Sequence, residues 1–547
     1  MIPGTSISPL ETQQRLLHEV STAVAAGDAR HAFEIATFAI QRGMRHPVLH
    51  NARGLWLQQT GQYAAALDEF QRALNNMPQN PTLLNAIGLC LLKLDRLDEA
   101  VNAFDAAIAL APDVPHSHYR RGLALANAGD HDAAEAAYER ALELDPDFPE
   151  ALASLAFIAA RKNQSEKALA LANRALELKP NDGTAILSLA ILDMAAKRYS
   201  EAEQRMRRLL EDAALEALPR AAVFGLLGDA LDGQERYAEA FEVYGQENEV
   251  LKREHAGHFQ LRAADAAEHM IAYFKDAPAE RWRAPDEGWE PPDAASQHVF
   301  LLGFMRSGTT LLEQVLGSHS RIVALEEKGL LIEPGERYLT GTSALDALAD
   351  IGGEDLQRNR RLYWERVRAT GADVGGKVFV DKQPLNTVKL PLIAKLFPKA
   401  KILFALRDPR DVVFSCFRRH FQVNATMFEF LSLQTSAQFY SSTMSLAELY
   451  RQKLPLDLMQ IRYEDIVSDF ETQVRAICDY IGVEWSEEMR DFNKHAPAVD
   501  LRSPSAPQVL KPLYREATAQ WRRYADQLAP VLPVLKPWAE KFGYLPD

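Results

Sequence analysis

Residues 298–310 read HVFLLGFMRSGTT, an apolar run followed by a turn between two glycines and then by a stretch typical of a helix start. Gly303 and Gly308 enclose four residues, and a threonine fills the Ser/Thr position of a phosphate-binding P-loop. Thr309 occupies the lysine position of that loop, and Arg306 supplies a planar, bidentate cation instead. The loop therefore predicts a phosphate-bearing donor other than ATP.

Length, composition and charge restrict the class of protein. At 547 residues the chain is longer than a single hydrophobic core usually becomes, so two or more domains are expected. A hydrophobic content of 47% and a charged content of 25% exclude a disordered or fibrous class. The net charge of -14 argues against nucleic acid as a partner, because binding to a phosphate backbone needs a basic footprint.

The cysteines and the N-terminus indicate a compartment. Cys90, Cys416 and Cys478 are odd in number and widely spaced, which predicts neither a disulfide framework nor a metal cluster. The first residues lack a basic segment followed by an apolar core, and no uncharged apolar run is long enough to cross a bilayer. We therefore predict a soluble, cytoplasmic protein with no metal and no membrane span.

The first half of the chain repeats with a period of 34 residues. Small residues recur at Gly54, Gly88, Gly122, Ala156 and Ala190, and in phase at Ala66, Ala100, Ala134, Ala168 and Ala202. Larger residues follow at Phe70, Phe104, Tyr138 and Met206, with Ala172 as the exception, and prolines follow at Pro78, Pro112, Pro146 and Pro180. A small residue lets two antiparallel helices approach, an aromatic one fills the space between neighbouring units, and proline ends the second helix. The pattern resembles tetratricopeptide (TPR) repeats.

The fold predicted from these patterns has two domains joined by a linker. An all-α TPR superhelical solenoid occupies residues 1–254, a linker with one helix occupies 255–297, and an α/β P-loop domain occupies 298–547. In the last part apolar runs alternate with helical stretches, which predicts a parallel sheet flanked by helices. Its strand candidates are Val299–Leu302, Val378–Val380, Ile402–Leu406 and Leu456–Ile461. The solenoid offers a concave surface for a protein or peptide, or packs against the other half or a second copy.

Four polar side chains follow strand-like runs in the second half. They are Arg306 after VFLLGF, Lys382 after VFVD, Arg407 after ILFAL, and Tyr463 after LMQIR. Because the carboxyl ends of parallel strands meet at one edge of a sheet, these side chains should converge. Three cations at that edge predict a pocket for a small polyanion, aided by the amides of a helix N-terminus.

Two stretches carry a family resemblance. FMRSGTTLLEQVLGSHSRIVALEE resembles the 5′-phosphosulfate loop of sulfotransferases that use 3′-phosphoadenosine 5′-phosphosulfate (PAPS), and LFALRDPRDVVFSCFRR resembles their 3′-phosphate segment. The resemblance covers roughly residues 298 to 547 and is greatest to the tyrosylprotein sulfotransferases and their bacterial relatives. In those enzymes a Glu-Glu pair follows the loop and a Lys-x-Pro turn follows the next strand. Here these are Glu326-Glu327 and Lys382-Gln383-Pro384.

The resemblance implies a set of donor-binding residues. Those for the 5′-phosphosulfate are Arg306, Ser307, Gly308, Thr309 and Thr310. Those for the 3′-phosphate are Arg407 and Ser415, with Arg419 as a weaker addition, and Tyr463 and Lys511 lie in further donor-contacting segments. Gln520 stands where the tyrosylprotein enzymes have a lysine, so donor contacts beyond Lys511 are not carried over.

The resemblance also implies a mechanism in which a hydroxyl displaces the sulfuryl group in line, with no metal. Such a transfer depends on positioning and on positive charge around a loose transition state. Glu327 is the expected general base for the acceptor hydroxyl, with Glu326 as the second choice, and both could instead cap a helix or pair with Lys328. Lys382, with Arg306, is expected to stabilise the bridging oxygen of the leaving group. The two nearby histidines, His319 and His420, are expected to be structural.

Other functions remain open at this point. A P-loop kinase would use Asp408 as a magnesium-linked carboxylate, although the missing loop lysine argues against it. A TPR scaffold could carry a catalytically inactive nucleotide-binding domain. The acceptor hydroxyl could belong to a protein or peptide tyrosine, a carbohydrate, a lipid or a small phenol.

Overall fold

The chain forms two compact units, and the boundary between them falls within one helix. The computed structural model describes residues 9–213, 215–259, 262–283, 295–495 and 518–544. The units are Met1–Arg205 and Met206–Asp547. Over these described ranges, no helix is both long and apolar enough to cross a membrane. The domain boundaries expected at 254 and 297 stay a prediction.

The first unit consists of helices, and the first eleven pack in sequence, each on the next along the chain. The helices are α1 (Pro9–Ala25), α2 (Ala29–Gln41), α3 (Pro47–Gln59), α4 (Tyr63–Leu74), α5 (Pro81–Lys93), α6 (Leu97–Leu110), α7 (Pro115–Ala128), α8 (His131–Leu144), α9 (Pro149–Arg161), α10 (Ser165–Leu178), α11 (Gly183–Ala195) and α12 (Tyr199–Leu210), which continues into the second unit. Proline opens α3, α5, α7 and α9, where its missing N–H and fixed φ favour a helix start. The predicted TPR-like solenoid of helix pairs is confirmed.

The 34-residue period corresponds to one repeated packing contact. A Cβ added to Gly54, Gly88 or Gly122 would lie 2.5–2.6 Å from the ring of Phe70, Phe104 or Tyr138, respectively. Each aromatic ring therefore lies on the glycine of its own unit, whereas the sequence pattern led us to expect it in the space between neighbouring units. Ala156 replaces the glycine in the fourth unit, and the aromatic residue is replaced there by Ala172. The two positions thus change size together to keep the helix spacing.

The second unit begins with a helix pair and continues into a five-stranded parallel sheet. Its helices are α13 (Ala217–Gly233), α14 (Tyr237–Glu254), α15 (Ala263–Asp276), α16 (Thr309–Gly317), α17 (Ile332–Tyr338), α18 (Thr342–Ala349), α19 (Gly353–Ala369), α20 (Leu390–Leu396), α21 (Pro409–Phe417), α22 (Leu433–Lys453), α23 (Tyr463–Ser468), α24 (Phe470–Ile481), α25 (Phe492–His495), α26 (Ala525–Leu528) and α27 (Leu532–Lys541). Its strands are β1 (Gln297–Gly303), β2 (Ile322–Glu326), β3 (Val378–Lys382), β4 (Lys401–Leu406) and β5 (Asp457–Arg462). Short 3-10 helices cover Ala279–Trp282, Pro384–Lys389, Met427–Leu431, Glu487–Met489 and Gln520–Tyr524.

The sheet has the order β2-β3-β1-β4-β5, and helices pack on its faces. One core joins strand residues such as Val299 and Leu403 to Leu312 of α16 and Val474 of α24. Aromatic residues, including Phe300 and Tyr363, fill the space on the other face. The α/β architecture with a parallel sheet flanked by helices is confirmed, and β2 is a strand that the sequence patterns did not identify.

The segment expected to be a linker contains a packed helix. Helix α15 lies against α22, and the ring of Phe274 meets Tyr450 edge-on at 4.9 Å between centroids. Trp282 is fully buried a few residues later. These contacts make residues 263–283 part of the second unit.

We predict that Gly122→Ala lowers the free energy of unfolding of the first unit by about 1–3 kcal/mol, the usual cost of overpacking. The physical reason is that the added methyl group would lie 2.5 Å from the ring of Tyr138. Urea unfolding followed by circular dichroism measures the loss, and amide hydrogen exchange in α7 and α8 locates it. As a matched control, Gly245→Ala in α14 adds a methyl group with no atom within 4 Å and should not destabilise. Equal stability of Gly122→Ala and wild type would contradict this packing account.

Candidate active site

The loop between β1 and α16 has two residues with left-handed backbone angles. Gly308 directly precedes α16 with φ 92°, and Arg306 also has a left-handed φ of 67°. A Cβ on Gly308 would lie 2.6 Å from Cδ2 of Tyr463, so only glycine lets that ring approach the loop. The start of α16 leaves backbone N–H groups directed at the loop, which suits an anion.

Four of the predicted donor-site residues meet at this loop. The Nε atom of Arg306 donates a hydrogen bond to Oγ of Ser415 at 3.0 Å. Nη1 of Arg407 donates to the backbone carbonyl of Arg306 at 3.0 Å, and the Arg407 guanidinium lies 5.1 Å from the ring centroid of Tyr463. The carboxyl ends of β1, β4 and β5 therefore bring together residues that lie far apart in sequence.

Positive charge is concentrated around Arg306. Burial, together with the nearby Arg419 and Arg407 guanidinium groups, lowers the pKa of Arg306 to about 9. The group still keeps its proton at neutral pH, so the shift reflects the unfavourable crowding of like charges in a desolvated place. A bound anion would relieve that crowding.

The start of α21 is fixed by its own charges. Asp408 accepts hydrogen bonds from the backbone N–H and the guanidinium of Arg410, at 2.7–2.9 Å. The Arg410 guanidinium also lies 3.9 Å from the ring centroid of Trp521. Asp408 is thus a helix cap paired with an arginine. Because its carboxylate is engaged in this way, the geometry does not favour the magnesium-linked role that a kinase would give it.

Lys382 at the end of β3 is surrounded by carboxylates. Its Nζ atom lies 3.1 Å from Glu313 Oε2, 3.2 Å from Glu326 Oε1 and 3.0 Å from Glu327 Oε1. The lysine side chain is 0% exposed. Burial opposes its charge, but the three carboxylates outweigh burial and hold the pKa of Lys382 above its ordinary value. The ammonium therefore stays protonated at neutral pH.

The three carboxylates differ in their access to solvent. The Glu327 side chain is 39% exposed, whereas Glu326 is 18% exposed and Glu313 is 5% exposed. Glu327 has a left-handed φ of 42°, and its N–H donates to the backbone carbonyl of Lys382 at 2.9 Å. Of the three, Glu327 is the carboxylate that a molecule arriving from solvent meets first.

Glu313 is the site residue that the sequence patterns did not identify. It lies on α16 within the run LLEQVL, where the neighbouring leucines and valine face the core. A buried acid in such a run signals a buried cation, but its partner Lys382 lies on a different strand and could not be assigned from spacing.

Several other predicted residues have partners away from the loop. Arg419 pairs with Asp229 of α13 at 3.0 Å, and Nδ1 of His420 lies 2.6 Å from Glu247 of α14. His319 Nε2 donates to the backbone carbonyl of Glu484 at 2.9 Å, while its Nδ1 accepts from the Arg321 N–H. These contacts agree with structural roles for both histidines.

The remaining predicted residues lie in the loop, at the helix start or outside the described chain. Ser307, Thr309 and Thr310 are buried at the start of α16. Gln520 accepts a hydrogen bond from Arg418. Lys511 lies outside the described residues. Within the described residues, no group of His, Cys, Asp and Glu is arranged to hold a metal ion.

Comparison with known families finds different matches in the two halves of the chain. Residues 298–487 match the model of the Sulfotransferase family. Residues 51–115, 115–148 and 137–170 match models of the Tetratricopeptide repeat. A solved tetratricopeptide repeat protein from Parabacteroides merdae has 17% identity and a TM-score of 0.37, covering 44% of this chain and 93% of that one.

Two relatives illustrate the similarity. An uncharacterized protein of Aquifex aeolicus is 26% identical over 360 residues, which cover 64% of this chain and 46% of that protein. A protein-tyrosine sulfotransferase of Drosophila melanogaster is 26% identical over 257 residues, which cover 43% of this chain and 51% of that enzyme. The chain thus spans about half the length of each of these two relatives. Its C-terminal part is a domain of the sulfotransferase family, and TPR repeats precede it.

Proposed function

We propose that this protein transfers a sulfuryl group from PAPS to a hydroxyl group of an acceptor. The observation that carries the proposal is the pair of clusters at the carboxyl ends of adjacent strands. Arg306, Ser415 and Arg407 gather at the loop after β1, while Lys382 and Glu327 gather at the end of β3, its neighbour in the sheet. One cluster suits a multiply charged anion, and the other suits proton transfer at its reacting end.

The donor would bind through the positive cluster. We assign the 5′-phosphosulfate to Arg306 and to the loop amides and hydroxyls of residues 307–310, where the helix start favours negative charge. Arg407 and Ser415 would bind the 3′-phosphate, and the ring of Tyr463 closes that side of the loop. The crowding of positive charge at Arg306 supports this assignment, because a bound polyanion would offset the repulsion among these guanidinium groups.

Glu327 would act as the general base. PAPS supplies the sulfuryl group, and an S–O bond to the nucleotide breaks as a new S–O bond to the acceptor oxygen forms. Glu327 is half-exposed and takes up the hydroxyl proton, whereas the buried ammonium of Lys382 stabilises the negative charge that develops on the leaving oxygen. Their 3.0 Å separation lets one lysine orient the base and serve the leaving group.

A protein or peptide tyrosine is the acceptor that we favour. The relative from Drosophila melanogaster is a protein-tyrosine sulfotransferase, and TPR solenoids commonly bind proteins or peptides. The three cysteines are buried free thiols, which suits the cytoplasm. The second candidate, an inactive scaffold, would need the catalytic cluster to be without function.

Arg407→Ala should weaken binding of 3′-phosphoadenosine 5′-phosphate about 10- to 100-fold, since a hydrogen bond to a charged group contributes about 1.5–3 kcal/mol. Isothermal titration calorimetry measures the affinity. Binding of 5′-AMP, which lacks the 3′-phosphate, should change much less. Arg451→Ala, which removes an exposed arginine of α22, is the control. An equal loss for both nucleotides would remove Arg407 from the 3′-phosphate site, and stronger thermal stabilisation of the wild type by ATP with magnesium would favour a kinase.

Glu327→Gln should lower turnover about 10²-fold or more, the usual scale for a lost general base, with donor binding nearly unchanged. Glu326→Gln is the matched control, because it removes a neighbouring carboxylate that contacts the same lysine. Single-turnover assays with PAPS measure the chemical step, and calorimetry measures donor affinity. Wild-type turnover in Glu327→Gln, or a larger loss in Glu326→Gln, would move the base to another residue.

Incubation with sulfur-labelled PAPS and fractionated lysate should place the label on protein. Alkaline hydrolysis should then release tyrosine O-sulfate, and the Glu327→Gln enzyme should give little label in the same reaction. Label on carbohydrate or lipid would change the acceptor class while leaving the transfer reaction intact. Tight donor binding with no labelled product from any fraction would favour the inactive scaffold.

A further inference from the structure

The innermost carboxylate of the Lys382 cluster has no role in the chemistry described so far. Glu313 lies on α16, only one turn after the loop, and its side chain is buried. Its Oε2 atom lies 3.1 Å from Lys382 Nζ. An acid in an apolar helix face is costly unless it serves a partner, and here the partner is the lysine that also contacts Glu327.

The charges of this cluster do not balance. Three carboxylates surround one ammonium group, and like charges this close cannot all ionise without cost. Burial raises the pKa of Glu313 to about 7, because Glu326 and Glu327 also oppose its charge and Lys382 only partly offsets these effects. Glu313 therefore gains or loses its proton near neutral pH.

The surroundings of Glu313 contribute few other charges. Helix α16 packs against β1, β2, β3 and α25. From β2 and β3 the facing groups are those of the cluster, and the Asp381 carboxylate instead accepts from Tyr363. From β1, His298 also contacts Tyr363, and in α25 the Lys494 amine pairs with Asp491. The cluster thus behaves as one lysine shared among three acids.

We propose that Glu313 is a positioning residue that shares the Lys382 ammonium with Glu327 and, by gaining or losing a proton, sets how tightly Lys382 holds the base. When Glu313 is protonated, Lys382 serves two carboxylates and stabilises ionised Glu327 more strongly, which makes Glu327 a weaker base. When Glu313 is ionised, it draws the ammonium inward, and Glu327 accepts a proton more readily. This inference rests on the proposed function for its catalytic consequence alone.

The first test is the pH dependence of sulfuryl transfer. Wild-type kcat/KM should rise through the pH region near 7, whereas Glu313→Gln should be nearly flat there. At about pH 8 its kcat/KM should be about 3- to 10-fold below wild type, as expected when a base loses part of its proton affinity. Glu313→Asp should restore a pH-dependent limb, and Glu333→Gln, an exposed acid of α17, should match wild type. A uniform loss with an unchanged profile would overturn the proposal, as would a flat wild-type profile.

The second test needs no catalysis. Because the pKa of Glu313 is raised in the folded protein, the folded state binds more protons than the unfolded state between about pH 4.5 and 7. Wild-type stability should therefore fall as pH rises through that window, and Glu313→Gln should lose part of the slope relative to wild type. Identical slopes would overturn the proposal. A protein that transfers no sulfuryl group but shows the slope difference would refute the proposed function while keeping the proton on Glu313.

Discussion

Positive charge at the carboxyl ends of parallel strands is the constraint on which the second unit depends. The order β2-β3-β1-β4-β5 places the ends of β3, β1 and β4 side by side, and each end or the loop after it carries a lysine or arginine. Three desolvated cations on adjacent strands repel one another unless negative charge is supplied. The two clusters differ in the groups that offset this repulsion. Lys382 contacts three carboxylates, whereas Arg306 donates to the Ser415 hydroxyl and Arg407 donates to the backbone carbonyl of Arg306.

We infer that this difference separates anion binding at the arginine cluster from proton transfer at the lysine cluster. An arginine pair gains most from a ligand that brings several negative charges. In the lysine cluster, burial instead brings the pKa of Glu313 to about 7, so that small changes near neutral pH can move its proton. The strand order thus places an arginine cluster beside a lysine–carboxylate cluster at one edge of the sheet.

Much of this arrangement follows from sequence, because the signals are local. The 34-residue period fixes the helix pairs, and the apolar runs of β1, β3, β4 and β5 end at the residues that form the site. Strand β2 is not among the predicted strands although its residues 322–325 are apolar; these residues are mostly half-buried and lead directly into Glu326. Glu313 is not identified as a site residue from sequence, because it lies in an apolar helix run and its partner Lys382 is brought close only by the pairing of distant strands.

The helix pair α13–α14 makes long-range contacts with α21 and with the residues that follow it. Sequence resemblance places Arg419 near the 3′-phosphate, which stays a prediction, and its guanidinium lies near Arg306 and pairs with Asp229, 190 residues earlier in the chain. On the same side, the Asn248 amide donates to the Phe417 carbonyl at the end of α21, and the Phe241 ring stacks on Phe417. Helix α21 carries Ser415, which contacts Arg306. A repeat-like helix pair therefore packs on the end of the helix that carries the Ser415 hydroxyl, so these two helices support the proposed site as the sheet does.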